Sequence, residues 1–380
     1  MTLPSPGSAT AFANLGDRFE SVESIAVLRG GGLGDLLFAA PALEALHAAY
    51  PQADITVLGM PLHAELLGGR FPAVASVEEL PVAPGVRDGT PDPAAVEAFF
   101  ARLSGRFDLA VQVHGGGRNS NPFLARLGAA HTVGTGTPDA PALERTLPYV
   151  YYQHEVLRAL EVVALAGAAP VALEPRLTPT DEDLRAGTAL TAALDGPVLA
   201  VHPGATDPRR RWPAERFAEL AARFVRAGGS ALVIGGVADV DAVNEITRRG
   251  SALAGADAER ITSRAGDLGL SELVGVLATA DAFLGNDSGP RHLAQAVGTP
   301  TASVYWFGNV VNASPLERGR HRMQLSWTTH CPVCGRDATQ AGWTAERCEH
   351  DVSFVDDVSA DAVWDDVAAI TAMTPPPRGR

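Results

Sequence analysis

The sequence predicts an α/β protein with two domains, each of which repeats the order strand, helix, strand. Three observations lead to this fold class. The chain has 380 residues, which is roughly twice the usual length of a domain. Its composition, with 46% apolar and 19% charged residues, is typical of a packed globular protein. Short β-type apolar runs alternate with longer helical patterns in both halves of the chain, as in βαβ units.

The individual elements are predicted from the spacing of apolar residues. In the first half, the predicted strands read SIAVLRG, ADITVLG and DLAVQVHG, and the helix after the first of them reads LLFAAPALEALHAAY. In the second half, the predicted strands read PVLAVHPG, SALVIGG, DAFLGND and TASVYW. The predicted helices of that half read PAERFAELAARFVRAG, VDAVNEITRR and SELVGVLATA.

The joint between the domains is predicted in the stretch 172–197, which is rich in proline, threonine and acidic residues. We therefore expect an N-terminal domain over residues 1–178 and a C-terminal domain over residues 179–380. The two ends of the chain, MTLPSPGSATA and TPPPRGR, have the composition of unpacked tails.

Charge and composition argue against several classes of partner. The formal net charge of −14 would repel nucleic acid and anionic membranes, so neither is expected as a main partner. The chain has no lysine, and its 30 arginines suit bidentate phosphate contacts but not Schiff-base chemistry. Three cysteines do not form a closed disulfide set, and neither a signal peptide nor a membrane-length apolar run is apparent. We expect a cytoplasmic protein with at most peripheral membrane contact.

The first predicted strand ends in a glycine-rich loop, GGGLGD, that carries Asp35 to the start of a helix. The dinucleotide pattern GxGxxG fails, because Asp35 stands where the third glycine or alanine belongs. The phosphate-loop pattern fails because it requires a lysine. Asp35 therefore has two interpretations. It is either a helix cap or a catalyst at the carboxyl end of a strand, where open α/β sheets bind ligands.

Two loops in the second half have the composition of phosphate-binding sites. Each follows a predicted strand and leads into a predicted helix, in the sequences HPGATDPRRRWPAERF and FLGNDSGPRHLAQAVG. The second helix is expected to open at Pro290, and the amides and dipole of a helix N-terminus form a natural anion site. Two such loops in one domain predict a diphosphate site. The candidate residues are Thr206, Arg209, Arg210 and Arg211 in the first loop and Asp287, Ser288 and Gly289 in the second.

Three segments together resemble the signatures of glycosyltransferase family 9, the ADP-heptose:lipopolysaccharide heptosyltransferases and their relatives. They read GGLGDLLFAAPALEAL, HPGA followed by RRWP, and GNDSGPRHLAQAVGTPT. The resemblance covers about residues 24 to 365. It implies the GT-B arrangement, in which two Rossmann-like domains face each other across a cleft. The nucleotide-sugar would bind mainly to the C-terminal domain and the acceptor to the N-terminal one, with no catalytic metal.

The resemblance also implies a reaction and roles for residues. The reaction is an inverting transfer from a nucleoside-diphosphate sugar, with ADP favoured, to a hydroxyl of a glycan or glycolipid. Such a transfer needs a base and groups that bind the departing diphosphate. Asp35 matches the family's general base, Arg210 matches the basic residue before Trp-Pro, and the loop from Asp287 to Gly289 with His292 matches the diphosphate loop. The acceptor side is expected to include Gly32, Gly34, His114 and Arg118.

Two segments depart from the family's pattern. Where the family often has Gly-Pro-Glu-Asp near the ribose, this chain reads Gly-Val-Ala-Asp, so only Asp239 could take over. On the acceptor side, Gln112 replaces an acid, His114 replaces a glutamine, and Arg118 keeps the positive charge. His114 is either a ligand contact or an inert loop histidine. These departures leave room for a donor or acceptor other than heptose and inner-core lipopolysaccharide.

Two other functions stay open at this point. A sugar-nucleotide 2-epimerase shares the two-domain arrangement and would convert its donor without an acceptor. A non-catalytic paralogue would bind nucleotide without turnover. The presence of Asp35 and Arg210 argues against the second alternative.

The cysteines lie near the C-terminus in the sequence CPVCGRDATQAGWTAERCEHD. Cys331 and Cys334 have the spacing of metal ligands, and Cys348 with His350 would complete a tetrahedral Cys3His zinc site. The alternative is three reduced thiols without a common ligand. Such a zinc would be structural. We expect this segment to be distant from the phosphate loops, so loss of the metal should loosen the segment and leave those loops in place.

Overall fold

The computed structural model describes residues 16–339 and 347–372, so both predicted tails lie outside the described residues. The chain divides into two compact units. The first runs to Val150 and includes Glu155–Pro175, and the second contains Tyr151–His154 and continues from Arg176. The last of these crossings between the units, after Pro175, lies within the stretch 172–197.

The first unit is a parallel sheet with helices between its strands. Its described strands are β1 (Ser24–Leu28), β2 (Asp54–Gly59), β3 (Ser76–Glu79), β4 (Leu109–Gln112), β5 (His131–Gly136) and β6 (Arg145–Pro148). Its described helices are α1 (Leu33–Ala49), α2 (Pro61–Leu67), α3 (Pro93–Leu103), α4 (Ser120–Ala125) and α5 (Glu155–Ala164). The strands lie in the order β3-β2-β1-β4-β5-β6, with every neighbouring pair parallel.

The second unit repeats this architecture. Its described strands are β7 (Val198–His202), β8 (Ser230–Gly235), β9 (Ile261–Ala265), β10 (Ala282–Asn286), β11 (Thr301–Trp306) and β12 (His321–Ser326). Its described helices are α6 (Asp181–Thr191), α7 (Ala214–Arg226), α8 (Val240–Ala254), α9 (Leu270–Thr279), α10 (Gly289–Ala296), α11 (Phe307–Ala313) and α12 (Ala360–Thr371). The strands lie in the order β12-β11-β10-β7-β8-β9, again all parallel.

Each sheet has a switch point, where the chain reverses the direction in which it adds strands. In the first unit this point lies between β1 and β4, and in the second between β7 and β10. Open α/β sheets bind ligands outside the carboxyl ends of the strands at such a point. Asp35, His114, Arg210 and Asp287 all follow strands that flank a switch point. The topology therefore places the main candidates where this fold class binds ligands.

The stretch 172–197 is not simply a linker, because most of it belongs to the second unit. Thr180 caps α6, accepting a hydrogen bond from the N–H of Asp183 at 3.2 Å. The helix then packs on α9 at a glycine contact, where a Cβ on Gly187 would lie 2.1 Å from the carbonyl carbon of Gly275. Glycine is needed there because the two backbones touch.

Each unit has its own hydrophobic core. In the first, Phe99, Phe100 and Phe123 pack together, with the last two ring centroids 4.8 Å apart. In the second, the core includes Trp306 and Phe354, whose rings meet edge to face at 5.4 Å. Among the residues that the structure describes, no helix has the length and apolar character needed to cross a membrane.

Candidate active site

Asp35 lies in the first turn of α1, just beyond β1, and Gly34 lies in the same turn. Its Oδ2 accepts a hydrogen bond from the N–H of Gly32 at 2.9 Å, and its Oδ1 pairs with Arg29 at 2.9 Å. Gly31 has a φ of +88°, and a Cβ there would lie 2.5 Å from Oδ2, so the turn requires glycine. The side chain is still 51% exposed. The carboxylate thus caps the helix and remains accessible, so the two interpretations are compatible.

A buried arginine that the sequence analysis did not single out, Arg29, orients Asp35. Its Nε donates to the main-chain oxygen of Asp35 at 2.7 Å, and its Nη2 donates to the carboxylate at 2.9 Å. Its Nη1 donates to the main-chain oxygen of Val113 at 2.6 Å. Glu155 Oε2, at the start of α5, lies 3.4 Å from Nη2. Arg29 therefore connects the loop after β1 with the end of β4 and with α5.

Two histidines lie beneath the glycine-rich loop. His114 Nδ1 accepts a hydrogen bond from the N–H of Gly30 at 3.2 Å. Burial and the charge of Arg29 lower the pKa of His114 to about 4. His63, on α2, is fully buried, and burial lowers its pKa as well. Both rings are therefore neutral near pH 7, and the positive charge beside Asp35 comes from Arg29.

The other acceptor-side positions differ in exposure. Gln112 is buried, and its amide donates to Ser120 Oγ at 2.6 Å, so it holds the loop after β4 in shape. Arg118 lies at the surface of that loop, where its Nε is 3.5 Å from Asp139. Of the residues predicted for this loop, the structure thus brings His114 to the loop of Asp35 and leaves Arg118 exposed.

In the second unit, the loop after β7 folds around Asp207. The Asp207 carboxylate accepts hydrogen bonds from the main-chain N–H of Arg209 at 3.0 Å and from its Nη2 at 2.6 Å. The buried Arg209 guanidinium also lies 5.0 Å from the ring centroid of Trp306. Burial raises the pKa of Asp207, but the bonds and charge of Arg209 outweigh it and leave the pKa lowered. Arg209 therefore gives the loop its shape.

The remaining residues of this loop face outward. Thr206 and Arg211 are exposed, and Arg211 Nε donates to the main-chain oxygen of Ala205 at 2.9 Å. Arg210 is 20% exposed, and its Nη1 donates to Asp287 Oδ2 at 2.9 Å. Within the described chain, the hydrogen bonds of this guanidinium involve Nη1 alone. Its Nε and Nη2 are therefore available to an anion.

Asp287, at the end of β10, is the buried centre of a polar cluster. Its Oδ1 lies 3.1 Å from His292 Nε2, and its Oδ2 accepts from Arg210 and, at 2.7 Å, from Asn309 Nδ2. Burial raises the pKa of this carboxyl, but the His292 bond and the Arg210 charge hold the pKa well below its usual range. Burial lowers the pKa of His292. An ionised Asp287 thus orients three neighbouring side chains.

A second histidine, His202 at the end of β7, lies between Ser288 and Asp239. Its Nδ1 is 3.4 Å from Ser288 Oγ, and its Nε2 is 3.6 Å from Asp239 Oδ2. The same Asp239 oxygen accepts the N–H of Gly236 at 3.0 Å. The nearby imidazole of His202 lowers the pKa of Asp239. Asp239 is therefore held beside the loop that carries Ser288.

Helix α10 begins at this loop. Ser288 is its N-cap in extended conformation, and the helix starts at Gly289, one residue before the predicted Pro290. Proline in the first turn costs no hydrogen bond, since the first N–H groups of a helix have no partner within the helix. The free amides of the first turn and the helix dipole favour an anion here.

The four predicted metal ligands are clustered. One ligand atom from each of Cys331, Cys334, Cys348 and His350 lies within 4.8 Å of all the others. The backbone N–H of Cys334 is the main cause that lowers the pKa of the Cys331 thiol to about 7, and the N–H of Val333 adds to it. His350 Nδ1 is buried without a hydrogen bond to any residue of the described chain. This donor set fits a tetrahedral metal ion.

The cluster is not distant from the phosphate loops, so that expectation is wrong. The N–H of Phe354, four residues after His350, donates to the main-chain oxygen of Arg209 at 2.8 Å. Arg347, just before Cys348, lies 3.6 Å from Asp207. The cysteine-containing segment therefore contacts the loop after β7 directly.

Comparison with known proteins identifies the family. Residues 97–336 match the family described as Glycosyltransferase family 9 (heptosyltransferase). The protein belongs to glycosyltransferase family 9. It is 27% identical to Lipooligosaccharide heptosyltransferase 2 of Haemophilus influenzae over 298 residues, which cover 74% of this chain and 83% of the relative. The expected resemblance and enzyme class are confirmed, and the epimerase and the non-catalytic paralogue are not favoured.

Solved structures show the fold of this family 9 glycosyltransferase. The structure of E. coli ADP-heptose LPS heptosyltransferase II aligns with a TM-score of 0.69 at 21% identity, covering 92% of this chain and 98% of that one. E. coli heptosyltransferase WaaC with ADP-2-deoxy-2-fluoro heptose aligns with a TM-score of 0.57 at 21% identity, covering 79% and 92%. The predicted fold class, GT-B with two Rossmann-like domains, is confirmed.

The structure of the family 9 glycosyltransferase gathers most of the predicted site residues into two groups, one for each switch point. The first group is Asp35, Gly32, Gly34 and His114, and the second is Arg210, Asp239, Asp287, Ser288, Gly289 and His292. Sequence reasoning missed several residues that hold these groups in place. They are Arg29, Glu155, His202, Asp207 and Asn309. A local signal existed for His202 and Asp207, since both lie in the quoted loop segment HPGATDPRRRWPAERF.

Proposed function

We propose that this glycosyltransferase moves heptose from an ADP-linked donor to a hydroxyl of a lipopolysaccharide or lipooligosaccharide acceptor, with inversion at the anomeric carbon. The observation that best supports this proposal is the buried Asp287, which holds Arg210 beside the N-terminus of α10. The names of the heptosyltransferase relatives support the donor and the acceptor. We place the reaction in the cytoplasm, with at most peripheral contact between the protein and the membrane.

The donor diphosphate would bind at the second switch point. Arg210 offers Nε and Nη2, and the Ser288-Gly289 end of α10 offers backbone amides. Asp239 is held close to the same loop and would take the ribose. The arginine and the amides supply the positive charge that a departing diphosphate needs, so we propose no catalytic metal. Thr206, Arg209 and Arg211 complete the proposed donor loop.

The acceptor would bind at the first switch point, where Asp35 is the proposed general base. As the acceptor oxygen attacks the anomeric carbon, the bond from that carbon to the diphosphate breaks and the hydroxyl proton passes to Asp35. Arg29 holds one carboxylate oxygen and Gly32 the other, which keeps the base aimed in one direction. His114 and Arg118 are the proposed acceptor contacts. The neutral ring of His114 adds no charge beside the base.

A donor and acceptor panel tests the proposed function. The full chain is incubated with ADP-heptose, ADP-glucose, GDP-mannose or UDP-glucose, each with and without heptose-deficient lipopolysaccharide, and the products are separated by mass spectrometry. We expect heptosylated acceptor with ADP-heptose alone, because the relatives are heptosyltransferases. Conversion of a donor without acceptor would favour an epimerase. Nucleotide binding without any product would favour a non-catalytic protein.

We further propose that Cys331, Cys334, Cys348 and His350 hold one structural zinc ion. Their ligand atoms already lie within 4.8 Å of one another, and zinc prefers such tetrahedral sulfur and nitrogen donors. Elemental analysis of protein purified without added metal should give about one zinc per chain, and the double variant Cys331→Ser/Cys334→Ser should give none. Wild-type protein without metal would show that the cysteines are ordinary reduced thiols.

A further inference from the structure

The segment that carries Cys348 and His350 contacts the proposed donor loop on both sides of these ligands. Before them, Arg347 Nη2 lies 3.6 Å from Asp207 Oδ1. After them, the N–H of Phe354 donates to the main-chain oxygen of Arg209 at 2.8 Å. The ring centroid of Phe354 also lies 5.8 Å from the Arg209 guanidinium carbon. The segment therefore contacts Asp207 and Arg209, the two residues that give the donor loop its shape.

At its C-terminal end the segment packs into the core of the second unit, and near its N-terminal end Arg347 also pairs with Asp351. Residues 347–355 contain no helix or strand, so regular hydrogen bonding does not fix them. Phe354 is anchored, because it is buried in the core and its main-chain oxygen accepts from Ser326 Oγ at 2.6 Å. At the other end of the segment, next to Arg347, the ligand atoms of Cys348 and His350 lie close to those of Cys331 and Cys334. A metal ion would join this end of the segment to Cys331, which lies in a turn where its N–H donates to the main-chain oxygen of Arg336 at 2.8 Å.

We infer that the metal ion in the Cys3His cluster positions the donor loop, so that metal occupancy sets the affinity for the nucleoside diphosphate. The ion fixes Cys348, and Arg347 beside it then adds a positive charge to the Asp207 carboxylate that holds Arg209. Arg210 follows directly in the chain. Arg347 and Phe354 are positioning residues in this scheme, since they act through Asp207 and Arg209. The inference rests on the diphosphate site and the metal site proposed above.

Thermodynamic linkage gives the inference a reciprocal consequence. If the metal raises the affinity for ADP by some factor, ADP must raise the affinity for the metal by the same factor. Couplings between distinct sites commonly amount to roughly 5- to 150-fold. We expect a value of about tenfold here, because the metal acts on the loop mainly through one ion pair, that of Arg347 with Asp207. A purely structural metal far from function would give no such coupling.

The test compares the full chain with metal, after removal of the metal by a chelator, and after reloading with zinc. ADP affinity is measured by calorimetry, and backbone hydrogen exchange is measured for the peptide over residues 205–212. We expect metal removal to weaken ADP binding about tenfold and to speed exchange in this peptide more than in residues 240–254, with both effects reversed by zinc. Unchanged exchange and affinity, or a chain that binds no metal, would overturn the inference.

A variant that keeps the metal separates positioning from stability. Arg347→Ala removes the ion pairs with Asp207 and Asp351 but leaves all four ligands, and Glu349→Ala changes the exposed residue between two ligands as a control. We expect Arg347→Ala to keep its zinc and melting temperature, to weaken ADP binding several-fold and to speed exchange in 205–212, with Arg347→Lys restoring part of the affinity. Equal behaviour of Arg347→Ala and Glu349→Ala would contradict the inference.

Failure of the inference can be told from failure of the proposed function. If no form of the protein binds ADP, the diphosphate proposal fails, while hydrogen exchange still reports whether the metal positions the loop. If all forms bind ADP equally and exchange equally, the diphosphate proposal stands and the positioning role is wrong.

Discussion

Asp35→Asn is expected to lower the rate of sugar transfer by about 10²- to 10⁴-fold, the usual contribution of a general base, while the protein stays folded. The amide oxygen of asparagine can still accept the N–H of Gly32, so the cap on α1 is kept. The lost ion pair with Arg29 involves a half-exposed carboxylate and should cost within about 1 kcal/mol. Initial rates with saturating donor and acceptor measure the effect, and thermal melting measures the stability.

The control for this variant is Asp54→Asn, which removes an exposed carboxylate at the start of β2. Because the strands are parallel, Asp54 lies at the N-terminal ends of the strands, whereas Asp35 lies beyond their C-terminal ends. Its transfer rate should equal that of the wild type. If Asp35→Asn turned over at a near-normal rate, Asp35 would be only a helix cap, and the base would have to be another group.

Each switch point contains an ion pair between an arginine and an aspartate. The arginine is the more buried partner at the first point, and the aspartate is the more buried partner at the second. At the first, the Arg29 side chain is 7% exposed and Asp35 is 51% exposed. At the second, the Arg210 side chain is 20% exposed and Asp287 is 2% exposed. The buried partner orients the accessible one in each case. This exchange supports a carboxylate acting on the acceptor and a guanidinium acting on the donor.

The spacing of apolar residues predicted the helices and strands whose apolar side chains are buried together. The residues of β1 from Ile25 to Leu28 are 0–1% exposed, which makes a parallel strand read as a continuous apolar run. Five of the described strands were not predicted from the sequence. Four of them, β3, β6, β9 and β12, lie at sheet edges with partly exposed side chains, and the fifth, β5, reads HTVGTG and contains two glycines. Helix α6 was missed because its packing depends on a glycine contact that leaves no apolar period.

The same distinction applies to the candidate site. Asp35 and Asp287 were detectable because each lies within a short motif where a strand leads into a helix. Arg29 and His292 lie within six residues of the aspartates they contact, but other supporting residues come from distant parts of the chain: Glu155 lies 126 residues from Arg29, and Asn309 lies 22 residues from Asp287. Contacts between residues so far apart leave no pattern in the local sequence, because it is the order of the strands in the sheet that brings these residues together. Sequence therefore indicated the groups proposed to act on substrate better than the groups that orient them.

Arg210→Ala is expected to weaken ADP binding by about 10- to 100-fold, the range for loss of a charge-assisted hydrogen bond, and to change adenosine binding little. The variant removes a cation that would contact the phosphates. It also leaves the buried Asp287 without one of its partners. Since Arg210 is one of the groups that lower the pKa of Asp287, the variant leaves that carboxylate with less positive charge beside the incoming diphosphate.

Arg216→Ala is the matched control, since Arg216 is an exposed arginine at the start of the following helix, α7. It has the same change of charge and should bind ADP like the wild type. Calorimetric titrations of ADP and adenosine with both variants decide the matter. A loss confined to ADP in Arg210→Ala would place this guanidinium at the phosphates. Equal losses for ADP and adenosine would mean that the substitution disturbs the whole donor loop, and Arg210 would then be a structural residue like Arg209.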